Sequence, residues 1–339
     1  MIIFQGSRLG YGKYLDTKYV PSYRAISLIN GKELWRLNVK MTDSYSRDVD
    51  GSCLIIKDTL YIGLENGNFN VIDPDPSNTV LIDNMNQPPI LQEFQLYNKT
   101  DIIAHKKNLV TESSPCKIGN HIYIASGSGH VYGYNMDKDS LDWEFFIGSD
   151  IDGSAVVTDD NCLLVSIEKQ YINGNGGLFK LNPKKKGNSC VEWFFPVEGT
   201  KMESWEGGII GTAAIKNSYK KPNEPNLTAI IGINGYLYVI DHKKLENNKL
   251  NLGPNKMHKY PAPKVTYSEF IGPSISTPLI VNDKLIVAGY NGIRLYKFKD
   301  NQTLRLLDEF QSEFEATPFV HDNKIYIASR NGFLYCFGN

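Results

Sequence analysis

The sequence predicts an all-β fold built from repeated antiparallel sheets, and three observations support this prediction. An alternating hairpin around a Gly-centred turn recurs along the chain, as in "TLYIGLENGNFNVID" (59–73) and "KIYIASRNGFLYCFGN" (324–339). A short strand that opens with small residues precedes most copies, as in "DGSCLII" (50–56). A further strand follows the hairpin, as in "LDWEFFI" (141–147). Each copy therefore reads as one small sheet, because Asn and Gly supply the positive φ that tight hairpin turns need.

The repeats predict a β-propeller with blades of four antiparallel strands. A single unit cannot bury both of its faces, so successive units stack around an axis. Seven hairpins begin near residues 2, 59, 121, 162, 228, 284 and 324, which favours seven blades, with six or eight as alternatives. We treat residues 1–339 as one propeller domain.

Each blade element has its own sequence signature. The first strands are predicted at 50–56, 112–118, 152–157, 211–215, 276–281 and 316–320. The fourth strands are predicted at 33–39, 91–97, 141–147, 191–197, 264–270 and 304–310. Insertions rich in Asn, Lys and Pro are predicted to form surface loops at 84–90, 216–226 and 242–263.

The two ends of the chain are complementary. The first repeat has no innermost strand before it, and the last has no outer strand after it, so both end blades are predicted to be incomplete. We expect residues 1–7 to lie beside the blade formed by 315–337, because open blade edges leave unpaired backbone groups. We also expect the natural precursor to begin upstream of Met1 and to supply the missing strands and an export signal.

The stretch "AISLINGKELW" (25–35) resembles the tryptophan-docking motif of the quinoprotein-like, or pyrroloquinoline-quinone-type, β-propeller family, Ala-x-Asp-x-x-Thr-Gly-x-x-x-Trp. Ala25, Gly31 and Trp35 match the motif, while Ser27 and Asn30 replace its Asp and Thr. The spacing recurs at Trp143, and Trp193 follows a longer version of the same turn. The resemblance covers nearly the whole chain and implies that these three indoles pack between adjacent blades.

The resemblance also bears on catalysis. Quinone-dependent dehydrogenases of this family hold their cofactor beneath two adjacent, disulfide-bonded cysteines, with a calcium ion and an Asp base. The five cysteines here include no adjacent pair, and an odd number argues against a disulfide framework. The six histidines show no metal-ligand spacing and are predicted to be exposed. We therefore expect no cofactor, no metal and no catalysis. The alternative is an enzyme, either a quinone-dependent oxidoreductase or a hydrolase or lyase that uses axial carboxylates.

Composition limits the kinds of partner. With 36 basic and 37 acidic residues, the chain lacks the positive excess that nucleic-acid binding requires. No apolar run approaches the ~20 residues of a membrane-spanning helix. We expect a monomer, and the family resemblance implies a periplasmic or secreted protein.

Blade topology predicts where a binding site lies. The loop before each first strand and the turn between the second and third strands meet at one end of a propeller, around its axis. The residues predicted at this axial mouth are Arg47, Asp50, Glu112, Asp152, Met202, Trp205, Glu206, Glu315 and Arg330. One interpretation is structural, with the carboxylates binding backbone N–H groups at strand starts. The other is an acidic mouth with an aromatic platform, suited to a cationic peptide or a carbohydrate. We predict a non-catalytic binding or scaffold propeller with a protein or carbohydrate partner.

Overall fold

The computed structural model describes residues 1–9, 17–220, 223–299 and 303–338. Its regular structure is almost entirely β, and its seven successive antiparallel sheets confirm the predicted seven-bladed propeller. The chain divides into two compact units, Met1–Ala155 with the first three blades and Val156–Asn339 with the last four. Among the described residues, the first and last sheets have three strands and the other five have four, so both end blades lack one strand there, as predicted.

The first unit contains three blades. Blade 1 consists of β1 (Ile2–Gly6), β2 (Tyr23–Ser27) and β3 (Glu33–Leu37). Blade 2 consists of β4 (Leu54–Ile56), β5 (Thr59–Gly63), β6 (Asn68–Ile72) and β9 (Ile90–Gln95), with a separate hairpin of β7 (Val80–Ile82) and β8 (Met85–Gln87). The helix α1 (Lys99–Ala104) precedes blade 3, which consists of β10 (Cys116–Ile118), β11 (His121–Ser126), β12 (His130–Asn135) and β13 (Ser140–Phe146).

The second unit contains four blades. Blade 4 consists of β14 (Val156–Val157), β15 (Leu163–Ile167), β16 (Gly177–Leu181) and β17 (Val191–Pro196). Blade 5 consists of β18 (Ala214–Ile215), β19 (Leu227–Ile231), β20 (Tyr236–Leu252) and β21 (Lys259–Phe270). Blade 6 consists of β22 (Leu279–Val281), β23 (Lys284–Gly289), β24 (Gly292–Phe298) and β25 (Leu304–Phe310). Blade 7 consists of β26 (Phe319–His321), β27 (Lys324–Ala328) and β28 (Leu334–Phe337). Short 3₁₀ turns lie at Pro76–Asn78, Gly187–Cys190 and Asn217–Tyr219.

The apolar core lies between successive blades. In the first unit, Tyr23 and Leu37 of blade 1 share one buried cluster with Leu60 and Ile62 of blade 2. In the second unit, clusters of the same kind join blades 4 and 5, blades 5 and 6, and blades 6 and 7. Each sheet alternates its side chains between two faces, so a blade in the middle of a unit contributes to two such clusters.

The three motif tryptophans are buried on the last strand of their blades. Their exposed fractions are 1% for Trp35, 5% for Trp143 and 1% for Trp193. Small residues stand opposite two of them in the strand register, Ala25 opposite Trp35 and Gly133 opposite Trp143. In all three blades the strand register shifts immediately after the residue that pairs with the tryptophan, at Ala25/Ile26, Gly133/Tyr134 and Lys180/Leu181. The small neighbour and the bulge leave room for a large indole on the sheet face.

Two of these indoles are hydrogen-bonded to the following blade. Trp35 Nε1 donates to the carbonyl oxygen of Pro74 at 3.0 Å, and Trp193 Nε1 donates to that of His242 at 2.9 Å. Pro74 and His242 occupy equivalent places, because each lies two residues after a Val-Ile pair in the third strand of its blade. The indole therefore combines apolar burial with one directed bond between neighbouring sheets.

Two predicted surface loops are in fact hairpins. The strands β20 and β21 continue through most of 242–263 and remain paired out to Leu252 and Lys259. The prediction was wrong because this extension is largely exposed and polar, so it shows no alternation that sequence could reveal. Residues 84–90 belong partly to the β7–β8 hairpin, which turns at Asp83 and Asn84, both with positive φ. In the third insertion, Lys221 and Pro222 lie outside the described residues.

The prediction of exposed histidines was wrong for three of the six. His105, His130 and His242 are at most 4% exposed. His130 is held by carboxylates, with Nε2 at 3.3 Å from Asp101 and Nδ1 at 2.5 Å from Glu144. Their polar sequence neighbours suggested loops, whereas His105 caps the C-terminus of α1, His130 begins β12 and His242 lies within β20, and packing covers all three side chains. All five cysteines are free, as predicted. Within the described chain, no helix has the length and apolar character needed to span a membrane.

The tryptophan contacts predict unequal effects of two truncations. Replacing Trp193 by Ala removes buried area and the bond to the His242 carbonyl, and should lower the free energy of unfolding by about 3–5 kcal/mol. Trp193→Phe keeps most of the packing and should cost less. Trp205→Ala is the control, because that side chain is partly exposed and lies in a loop. Chemical denaturation monitored by fluorescence would measure the free energy of unfolding of all three variants. Equal losses for Trp193→Ala and Trp205→Ala would contradict the assignment of Trp193 as the residue that docks between blades.

Candidate functional site

Four carboxyl groups of the first unit form what we call the acidic cluster, Asp50, Glu65, Glu112 and Asp152. Oxygens of Asp50, Glu65 and Glu112 all lie within 4.8 Å of one another. Glu112 is hydrogen-bonded to Asp152. Three of the four stand in loops before first strands, and Glu65 stands in the turn between β5 and β6. These are the two kinds of loop that blade topology places at one end.

Glu65 was missed from the sequence because it lies in a turn of the repeated hairpin, "LENGN", where an acidic residue looks like turn chemistry. The structure buries it to 4% exposure. Its carboxylate accepts a hydrogen bond from Ser46 Oγ at 2.5 Å, and its backbone carbonyl accepts one from Ser44 Oγ at 2.6 Å. The loop before blade 2 thus fixes the position of this carboxyl group.

Burial and mutual repulsion alter the protonation of the acidic cluster. Burial raises the pKa of Glu65 to about 8, with Asp50, Glu112 and Asp48 adding to the rise and the bond from Ser46 opposing it. Burial likewise raises the pKa of Glu112 to about 8, helped by Asp152 and Asp50, while Arg8 acts in the opposite direction. Near neutral pH, both groups therefore hold protons that they lose in a slightly alkaline solution.

The structure buries Arg47, which was predicted to lie at the axial mouth. Its side chain is 2% exposed, and its guanidinium donates to the carbonyl oxygens of Thr17 at 2.6 Å and Val39 at 3.3 Å. Arg47 therefore ties backbone segments together in the first unit. Arg8 is instead exposed, with Nε at 3.8 Å from Asp48.

A second cluster lies in the second unit, where the predicted residues Glu315 and Arg330 meet Glu203 and Tyr290, which the sequence did not predict. We call these four residues the arginine cluster. Arg330 Nη1 lies 2.8 Å from Glu315 and 3.4 Å from Glu203. Tyr290 Oη donates a hydrogen bond to Glu315, and the Arg330 guanidinium lies 6.0 Å from the centre of the Tyr290 ring. The negative charge of Glu315 is thus matched by a cation, in contrast to the acidic cluster.

Met202 and Trp205 flank a tight turn beside the arginine cluster. Their backbone groups exchange two hydrogen bonds of 2.9 Å, and Glu203 within the turn has a φ of 51°. Both side chains are half-buried, whereas Glu206 is exposed. The contact between Glu203 and Arg330 connects this turn to blade 7. The structure therefore brings Met202 and Trp205 near Glu315 and Arg330, while Asp50, Glu112 and Asp152 meet in the first unit.

A third polar group lies between blades 4 and 5. Lys180 is 3% exposed, and its ammonium donates to Asp160 at 2.6 Å and to the carbonyl oxygen of His242 at 3.0 Å. Lys243 binds Asp159 at 2.7 Å. Burial, then the charge of Lys180, lowers the pKa of His242 to about 4. Lysine ammonium groups pair with both carboxylates, so this group is better suited to joining the two blades than to binding a metal.

Comparisons with known proteins identify the fold. No protein-family model matches the sequence, and no curated protein sequence matches it significantly. Among solved structures, BamB from Moraxella catarrhalis is similar with a TM-score of 0.47 at 12% identity, covering 99% of this chain and 98% of that one. Quinohemoprotein alcohol dehydrogenase from Comamonas testosteroni gives 0.52 at 12% identity, covering 93% and 69%. A chain of the mitotic checkpoint complex gives 0.56 at 10% identity, covering 94% and 82%. The similarities to the alcohol dehydrogenase and to the checkpoint-complex chain support the propeller fold.

The raised pKa of Glu112 predicts how stability depends on pH. The folded state binds this proton up to about pH 8, whereas the unfolded chain releases it near 4.5. The resulting stabilisation is complete below pH 4.5 and is lost as the pH rises through 8, with a total on the order of 5 kcal/mol. Glu112→Gln cannot ionise, so its stability should fall less than that of the parent protein between pH 5 and pH 9.

The control is Glu206→Gln, which makes the same chemical change at an exposed carboxylate. Its pH profile should follow that of the parent protein. Urea unfolding at several pH values would measure the three profiles. Parallel profiles for Glu112→Gln and the parent would show that Glu112 ionises normally in the folded state.

Proposed function

We propose that this propeller is a non-catalytic binding module that captures a basic segment of a protein partner through the acidic cluster. The observation that carries the proposal is the convergence of Asp50, Glu65, Glu112 and Asp152 on one surface of the first unit. Such crowding is unfavourable in the free protein, because like charges repel and burial disfavours ionisation. An ammonium or guanidinium group placed among these oxygens relieves both effects.

The protonation state adds a testable property to this function. A bound cation stabilises the ionised forms of Glu65 and Glu112, so binding releases protons near neutral pH. Capture of a basic ligand should therefore strengthen as the pH rises from 7 towards 9. Ordinary surface attraction between exposed charges lacks this dependence, because exposed carboxylates are already ionised at pH 7.

The arginine cluster contributes to this function in a different way. Arg330 is about half exposed and is paired with Glu203 and Glu315, and the half-buried Trp205 stands two residues after Glu203. We propose that this surface of the second unit contacts polar and aromatic parts of a partner rather than a single strong charge. A carbohydrate ligand suits such a surface as well, since the surface combines hydrogen-bonding groups with an aromatic ring.

A second candidate function is acid–base catalysis, favoured by one observation. Glu112 holds a proton and is hydrogen-bonded to Asp152, which is a pairing used to divide acid and base roles between two carboxyl groups. A hydrolase or lyase is the reaction class that this pairing supports.

A location outside the cytoplasm is proposed only from the resemblance of the repeats.

Removing charge from the acidic cluster should weaken binding of a basic probe. The probe is a fluorescent arginine-rich peptide, and the variant is Asp50→Asn/Glu112→Gln/Asp152→Asn. We expect its dissociation constant to rise about tenfold at low ionic strength, because several close charge pairs are lost. Fluorescence anisotropy at pH 7 and pH 9 would also test the predicted strengthening in the parent protein.

The control variant makes three carboxyl-to-amide changes in exposed turns elsewhere, Asp58→Asn/Asp83→Asn/Asp322→Asn. It should bind the peptide with nearly the affinity of the parent protein. If both triple variants lose equal affinity, attraction is set by net charge alone, and the acidic cluster is not a binding site.

A further inference from the structure

The last blade has an edge that is covered by a fourth strand in other blades. The third strands of blades 2 to 6 are each paired on their outer side with β9, β13, β17, β21 or β25. In blade 7 the third strand is β28, and in the described part of the chain no strand pairs with its outer side. Most side chains around this edge are strongly exposed, with values of 66% for Phe333 and 72% for Leu334.

Other blades show which backbone groups the missing strand would bind. In four of them, the residue that follows the fourth strand donates its N–H to the carbonyl of the residue just before the third strand. These bonds are Leu96 to Gly67, Ile147 to Gly129, Val197 to Gly176 and Ile271 to Gly235. Gly332 is the equivalent residue of blade 7.

The direction of the backbone along β28 follows from its hairpin. Ser329 N–H donates to the Phe333 carbonyl at 2.9 Å, as Leu64 does to Asn68 in blade 2. Inward and outward pairs alternate along an antiparallel strand, so the backbone groups of Leu334 and Cys336 point to the open side. The edge thus offers a row of donors and acceptors at regular spacing.

A groove runs beside this edge. It encloses a cavity of about 400 Å³ between blades 6 and 7. Its apolar lining comes from Ile293, Leu295 and Phe310 of blade 6 and from Ile325 and Phe337 of blade 7. The Phe310 ring lies 5.2 Å from the Phe337 ring, centre to centre, so the floor of the groove is packed.

The charges of the groove indicate the chemistry of its occupant. The two charged residues in its lining are both acidic, Asp308 and Glu309, and both are exposed. Glu309 is paired with Arg294 at 3.1 Å. A strand that lies here meets apolar side chains on one face and the Asp308 carboxylate at the rim, so alternating apolar and basic residues fit it.

We propose that the open edge of β28 binds an extended segment of a protein partner, with alternating apolar and basic residues, as the fourth strand of blade 7. Backbone hydrogen bonds supply the pairing, and the groove selects the side chains. This site goes beyond the function proposed for the acidic cluster and uses none of its residues.

The test uses a fluorescent seven-residue peptide that alternates valine and lysine, the length matching β25. The protein variants are Cys336→Pro, which removes an outward N–H, and Cys336→Ser, which keeps it. Proline is tolerated in edge strands but prevents pairing at its own position. We expect Cys336→Pro to weaken peptide binding at least about tenfold and Cys336→Ser to change it less than about twofold. Asp308→Asn should weaken the lysine peptide about threefold and leave a valine–threonine peptide unaffected.

Hydrogen exchange of the unaltered protein provides a test that does not depend on how Cys336→Pro folds. The peptide should slow exchange at the amides of Leu334 and Cys336. Equal binding by the two Cys336 variants, or slowed exchange confined to other residues, would overturn the proposal. Slow exchange at these amides without peptide would also overturn it. If the slowing of exchange without peptide increases with protein concentration, a second copy of the chain covers the edge. If the slowing is independent of concentration, a segment of the same chain covers it.

Discussion

Packing between successive blades is the interaction on which the rest of the structure depends. A sheet of three or four short strands has two apolar faces and cannot bury either one by itself. The clusters that join blades 1 and 2, or blades 4 and 5, bury one face of each partner. The indoles of Trp35 and Trp193 add a hydrogen bond to a backbone carbonyl of the following blade. That bond fixes the register between the sheets, which apolar contact alone leaves adjustable.

Because packing between blades supplies the stability, the loops at the blade ends are free to carry unfavourable chemistry. Glu65 is nearly fully buried and lies among other carboxyl groups. An arrangement of this kind lowers stability at high pH and contributes nothing to packing. Ser44 and Ser46 nevertheless hold this residue in place through two short hydrogen bonds. A carboxyl group positioned by its neighbours at an energetic cost is more readily explained by binding than by folding.

The predictable part of this protein is the part that repeats. The hairpins, the turn glycines and the strand that carries Trp35 could be identified because alternation and spacing are direct consequences of strand geometry. The acidic cluster was only partly predictable. Asp50, Glu112 and Asp152 share a position in the repeat, whereas Glu65 belongs to one turn and Arg47, predicted at the same surface, is buried against backbone carbonyls. Burial of a single polar side chain depends on how deep its loop sits, and the sequence pattern carries no such information.

The same limit applies to the long hairpin of blade 5, whose outer part pairs through backbone groups with little apolar content. Backbone pairing is independent of side-chain identity, so sequence reveals it only where one face is also buried. The open edge of β28 is the converse case, since its backbone groups lack a neighbour among the described strands while its sequence resembles that of every other third strand. An unpaired edge and a crowded set of carboxylates are both surfaces whose free energy falls when a ligand covers them. We propose a basic ligand for each, because the carboxylates attract one directly and Asp308 attracts one beside the edge, which also requires the ligand to be extended.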